Sequence, residues 1–167
     1  MPVNLVDLIP SLQREVSPPG INQYDNLSEN DWLGHLTDAF WEARLSGVLS
    51  GYTEVNGEVV PQKEGKPDIP RELQQLVVLF AGFRMALTSF QNVNSSYRAK
   101  AGPVEYEVQK SAQTLKGLLD ALKMRLDFIL KNLSVYEADA TSVAMFDAVV
   151  ESGYSYVSGN RSWYVGG

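Results

Sequence analysis

Cysteine is absent from this chain of 167 residues, which excludes disulfides, thiolate nucleophiles and cysteine-ligated zinc. A chain without cysteine folds in either redox state, so its compartment stays open. Histidine occurs once, at His35, and any His-based triad or imidazole metal site would have to use it. Positive charge is also scarce: 14 Lys and Arg stand against 20 Asp and Glu, a net charge of −6. The cations are scattered, with Arg98 and Lys100 the nearest thing to a cluster. That distribution argues against a groove that wraps nucleic acid, which needs Lys and Arg gathered on one face. The longest apolar run, from Leu76 to Phe83, stops at Arg84, well short of the roughly 20 residues of a membrane-spanning helix. Met1-Pro2-Val3-Asn4-Leu5 lacks the basic start of a secretory signal. These features predict a soluble protein made in a cytoplasm. No Gly-x-x-x-x-Gly-Lys phosphate loop, Gly-x-Gly-x-x-Gly fingerprint or Gly-x-Ser-x-Gly elbow occurs.

What the chain does have is helical periodicity. Val3, Val6, Ile9 (or Leu8), Leu12 and Val16 recur at threes and fours, with Pro10 predicting a kink or two short pieces. Ser17-Pro18-Pro19-Gly20 ends that segment. Ser28-Glu29-Asn30-Asp31 reads as a capping box with Asp at its fourth place. It opens a helix carrying Trp32, Leu36, Ala39, Phe40 and Ala43 on one side. Tyr52 to Val60 then holds Asn56-Gly57 between two β-prone runs, the strongest short-range hairpin signal. Pro70 starts a helix with Leu73, Leu76, Phe80, Phe83, Leu87 and Phe90 at three-four spacing, which Asn92-Val93-Asn94-Ser95-Ser96 should break. After Gly102-Pro103, the series Val108, Ala112, Leu115, Leu119, Leu122, Leu126, Ile129 and Leu133 keeps a four-three alternation, the seam of a helix packed lengthwise on others. Lys116 with Asp120 and Lys123 with Asp127 are spaced for local ion pairs. The predicted fold is mainly α: an antiparallel helical bundle over 1–133, with a small β-hairpin insertion at about 52–60.

From Ser134 to Gly167 the character changes. Tyr136, Phe146, Tyr154, Tyr156, Trp163 and Tyr164 sit among Ser, Gly, Ala and Val, and Arg161 is the only cation. Asp147-Ala148-Val149-Val150 offers a helical turn, but no long periodic face follows. This segment has too few apolar side chains to close a core and too many aromatics for a typical disordered tail. It reads as an extended aromatic C-terminal tail that binds a partner, Tyr, Trp and Arg being the anchors of interfaces. Packing back onto its own bundle is the alternative.

The one constellation with catalytic chemistry is Asp31, His35, Asp38 and Glu42, spaced by four, three and four and therefore on one helix face. Such a row could hold a divalent ion or act as a general base. It is equally the polar face that an amphipathic helix must carry opposite Trp32, Leu36 and Phe40. Bundle metal centres draw ligands from two helices, and there is no second histidine. Tyr97-Arg98-Ala99-Lys100 could stack on and pair with a nucleic-acid strand, against which stands the acidic total. No catalytic, cofactor-binding or metal residues are assigned, and no enzyme activity is expected.

Three stretches resemble a known family. Asp38-Ala39-Phe40-Trp41-Glu42-Ala43-Arg44-Leu45 with Gly51-Tyr52 resembles the second helix of siphophage head-to-tail adaptors, also called connector or head-completion proteins. Pro70-Arg71-Glu72-Leu73-Gln74-Gln75-Leu76-Val77-Val78-Leu79-Phe80-Ala81-Gly82 resembles their central helix. Arg98-Ala99-Lys100-Ala101-Gly102-Pro103-Val104-Glu105-Tyr106-Glu107 is similar to the loop into their last helix. The likeness spans about residues 28–133 and is nearest to adaptors of phages that infect actinobacteria.

The resemblance implies a structural virion protein located in the neck, at the head-tail interface, and made in the host cytoplasm. It implies a homo-oligomeric ring, commonly of about twelve copies, under the portal protein, with a stopper or tail-completion protein on the far side and genomic DNA passing without specific binding. No membrane is involved. The portal grip would then fall on 134–167, with Tyr154, Tyr156, Arg161, Trp163 and Tyr164 as its interface residues. Tyr52, Asn56 and Gly57 of the hairpin would make an inter-ring or lateral contact. The alternatives are a free-standing helical protein-binding module or another phage neck or tail-completion protein.

Overall fold

The structure is a computed structural model, and it describes residues 2–18, 21, 23–97, 104–133 and 140–159. The side chains of 94–97, 104–109, 140 and 156–159 are left aside. Among the described residues the fold is mainly helical, with five α-helices and one small antiparallel sheet.

The N-terminal segment forms the two short helical pieces expected of it, preceded by a strand that was not expected. Val3–Asn4 forms a short strand β1, Leu5–Leu8 a 3₁₀ turn and Ile9–Val16 the helix α1. Asn4 caps the turn through its side-chain oxygen, which accepts from the Val6 amide at 3.1 Å. Pro10 sits in the first turn of α1, where its missing N–H has no helical partner to lose. Leu5, Ile9, Leu12 and Val16 are buried.

Helix α2, Glu29–Leu45, begins where the capping box predicts. The Ser28 hydroxyl accepts from the Asp31 amide, and the Asp31 carboxylate accepts from the Ser28 amide at 2.9 Å. Trp32, Leu36, Ala39, Phe40 and Ala43 are buried. The hairpin follows as β2 (Tyr52–Val55) and β3 (Glu58–Pro61). Asn56 and Gly57 have φ of 54° and 86°, the positive values a two-residue turn demands at both positions. A lone ribbon is marginal in water. Here β1 pairs antiparallel with β3, giving the order β1-β3-β2, and the Leu5 amide donates to the Gly57 carbonyl at 2.8 Å. The other side of the ribbon is tied to α2. Arg44 Nε donates to the Tyr52 carbonyl at 2.9 Å and Trp41 Nε1 to Glu54 at 3.3 Å.

Helix α3, Arg71–Tyr97, is the axis of the fold. It packs against α1, α2, α4 and α5. Because neighbours cover it on most sides, Leu73, Leu76 to Ala81, Phe83, Met85, Ala86 and Phe90 are all buried. Residues Arg71–Val93 are long and apolar enough to cross a membrane on length and composition alone. With 61% of the most apolar window buried, enclosure by other helices accounts for that apolarity. The helix also runs through Asn92 to Ser96, where a break was expected. Asn92 is exposed there, and Val93 still packs on the core. Polar side chains within a helix cost only a weak propensity penalty.

Helix α4, Val104–Asn132, lies along α3. Ala112, Leu115, Leu119, Leu122, Leu126 and Leu133 of the predicted seam are buried. Near its end Leu130 replaces Ile129 as the buried residue, since a straight helix drifts away from a strict seven-residue repeat.

The largest departure is α5. Residues Ala140–Gly159 form a helix of 20 residues, not an extended tail over that range. Phe146 and Val150 are fully buried in the same core as the other helices, and the Phe146 ring lies 4.7 Å from that of Phe80. A Cβ on Gly153 would stand 3.0 Å from Leu87 and 3.3 Å from Phe83, so glycine lets α5 lie close on α3. In packing terms 141–155 therefore belongs to the bundle, on which it docks within its own chain.

Candidate interaction surface

The His35 row is the first place to look for chemistry, and its carboxylates are already engaged. Asp31 is committed to the helix cap, and its hydrogen bonds from Ser28 hold its carboxyl below the usual range. Arg84 of α3 reaches across to Glu42 at 3.1 Å and Asp38 at 3.9 Å. His35 is half-buried, and burial pushes its imidazole below the ordinary 6.5, with Arg84 adding to the shift and Asp38 and Asp31 opposing it. The row is thus an ion-paired seam between α2 and α3.

A second polar cluster, which the sequence reading did not assemble, joins α4 to α5. Asp127, Asp147 and Glu151 bring carboxylate oxygens within 4.8 Å of one another. The ammonium of Lys123 lies 3.0 Å from Asp127 and 2.5 Å from Glu151. Burial alone would lower the Lys123 pKa, but the bonds to Glu151 and Asp127 outweigh it and hold the ammonium above its ordinary value. Tyr154 donates its hydroxyl to Asp120 at 2.5 Å, and the Lys123 ammonium stands over its ring at 5.3 Å from the centroid. This cluster is a clamp between two helices, in which one ammonium bridges two of three neighbouring carboxylates.

The predicted interface residues separate. Tyr154 lies in α5 and is half-buried in the clamp. Tyr156 is in α5 by its backbone, and its side chain lies outside those described. Arg161, Trp163 and Tyr164 lie outside the described residues. In the hairpin Asn56 is exposed and Gly57 half-buried. Tyr52 is only 4% exposed, with the Lys66 ammonium 5.0 Å over its ring, and it joins the ribbon to the core. Tyr97 ends α3, and Arg98 to Lys100 lie outside the described residues.

What the bundle leaves open is apolar surface. Phe128 and Met124 of α4 are 71% and 69% exposed, Leu45 at the end of α2 is 79% exposed, and Met145 of α5 is 55% exposed. Val149 and Val55 complete the exposed large apolar side chains among the described residues. Met124 and Phe128 border a groove of about 460 Å³ with Asp120, Lys123, Lys131 and Tyr154. Scattered single exposures need no explanation, but clustered ones mark contact surfaces. The chain matches no protein-family model, no curated protein and no solved structure.

Proposed function

We propose that this chain is a structural assembly subunit, the head-to-tail adaptor of a tailed bacteriophage. Copies would form a ring under the portal, extend the DNA channel and join the head to a stopper or tail-completion protein. The observation that carries the reading is exposed apolar surface on a bundle whose polar clusters join one helix to another. The three stretches that resemble adaptors fit this reading, because they cover α2 with the start of the hairpin, the enclosed helix α3, and the beginning of α4. About twelve copies at −6 each would surround the channel with about −72 formal charges, which repels DNA and does not trap it.

The portal grip is proposed for the C-terminal segment beyond the clamp, with Arg161, Trp163 and Tyr164 as anchors. Replacing Trp163 and Tyr164 by Ala should weaken docking on purified heads by about 2 kcal/mol or more each, the cost expected of aromatic anchors. Co-sedimentation with DNA-filled, tailless heads measures it, and unchanged affinity would remove both residues from the interface.

A free-standing protein-binding module is the second reading. The groove beside Met124 and Phe128 favours it, since an amphipathic helix could lie there. That reading expects no binding to heads.

A further inference from the structure

The hairpin turn places an electrophile and a nucleophile side by side. The side-chain amide carbon of Asn56 is the first, and the backbone nitrogen of Gly57 is the second. Asn56 is exposed, and Gly57 has no side chain to shield its nitrogen. Both residues hold positive φ, 54° and 86°, so the two-residue turn depends on this pair. In an unfolded chain such a pair closes on itself.

The step balances with water as its one co-reactant. The bond from the Gly57 nitrogen to Asn56 Cγ forms as the Cγ–Nδ2 bond breaks. The backbone amide loses its proton, and Nδ2 gains one and leaves as ammonia. The succinimide ring that results takes up water at either of its carbonyls. Opening at Cγ gives aspartate. Opening at the main-chain carbonyl gives isoaspartate, in which the chain runs through Cγ. In sum, asparagine and water become an acid and ammonia, and nothing is oxidised or reduced.

The fold restrains the nucleophile. The Gly57 amide donates to Glu54 Oε1 at 2.6 Å, a bond to a charged acceptor and therefore a strong one. The other oxygen of that carboxylate accepts from Trp41 Nε1 at 3.3 Å, which fixes it from α2. To attack, the nitrogen must shed its proton and turn its lone pair on Cγ. A carboxylate is far too weak a base to take that proton, and its charge disfavours a second negative charge on the nitrogen beside it. On its other side Gly57 is pinned through its carbonyl, which accepts from the Leu5 amide at 2.8 Å. We infer that Asn56 is a self-modification site, converting through a succinimide to aspartate and isoaspartate, and that the Glu54 carboxylate on the Gly57 amide holds this conversion back in the folded chain. The isoaspartate form carries an extra backbone atom in a turn of fixed geometry, which draws Gly57 away from Leu5 and loosens β1 from β3.

The test is a deamidation rate in the full-length protein. Parent, Glu54→Gln and Glu54→Ala are incubated at mildly alkaline pH, both folded and in urea. Mass spectrometry of the peptide holding residue 56 follows the change from amide to acid. Asn26, exposed and followed by Leu27, is the internal control. In urea the three chains should convert at one rate. The folded parent should convert at least about tenfold more slowly than in urea, the rate equivalent of one hydrogen bond to a charged group. Glu54→Ala should erase most of that protection. Glu54→Gln, which keeps a neutral acceptor of the same size, should erase part of it. A parent that converts as fast folded as in urea would overturn the inference, and so would variants that stay at the parent's folded rate. Hydrogen exchange at the Leu5 amide separates this restraint from general loosening of the ribbon. Faster conversion in Glu54→Gln with Leu5 still protected supports the inference. Faster conversion only where Leu5 also exchanges freely assigns the protection to the whole ribbon and overturns it.

Discussion

His35 shows how position decides what a titratable side chain does. Its spacing with Asp31, Asp38 and Glu42 was legible in the sequence, but Arg84 comes from another helix and no local pattern announces it. Folding half-buries the imidazole and lowers its pKa from 6.5. The unfolded chain therefore takes up the proton more readily, so this group's contribution is present above about pH 6.5 and is lost as pH falls through the lower folded value. His35→Gln should remove that component. The melting temperature of the parent should fall more between about pH 7 and about pH 5 than that of the variant, and parallel curves would contradict the account. Phe146 makes the complementary point. It is fully buried against Phe80, so Phe146→Ala should cost about 3–5 kcal/mol, the range for deleting a core phenyl ring. Urea unfolding measures this, and a cost near zero would mean that α5 does not rest on the core.

Elements whose signals are local were legible, and those that depend on neighbours were not. The α2 cap, the Asn56-Gly57 turn and the buried seam of α4 each lie within a few residues of sequence, and each formed where its pattern placed it. Strand β1 was hidden because two residues, Val3 and Asn4, become a strand only by pairing with β3. Helix α5 was hidden for a different reason. Val143, Phe146, Val150 and Gly153 do fall at threes and fours, but only two of them are large and buried, and the Ser, Ala and Gly between them read as tail. A helix with so narrow a stripe is marginal alone and gains its stability from the surface it meets. Its attachment is accordingly lighter than that of α3: Phe146, Val150 and the Lys123 clamp against enclosure on most sides. Hydrogen exchange should show α5 amides opening at lower free energy than those of α3, in an order set by packing. Equal protection of the two helices would contradict this. High salt should widen the gap, since the clamp pairs are partly exposed and screened.

At the scale of the whole molecule, the outer stripe of α4 was written in the sequence but was overshadowed by the stronger seam on its other side. Gly117 and Ala121 look like filler until the structure shows them in line with Met124 and Phe128, facing outward. The expected site was the aromatic C-terminus. The structure draws 141–155 of that segment into the bundle and leaves the large apolar exposures on the flanks of α4 and α5. The most direct measurement is electron-microscopic averaging of the portal vertex of DNA-filled, tailless heads after incubation with this protein. The account predicts a ring of discrete helical subunits beneath the portal. A bare vertex, with the protein left in the supernatant, would contradict it.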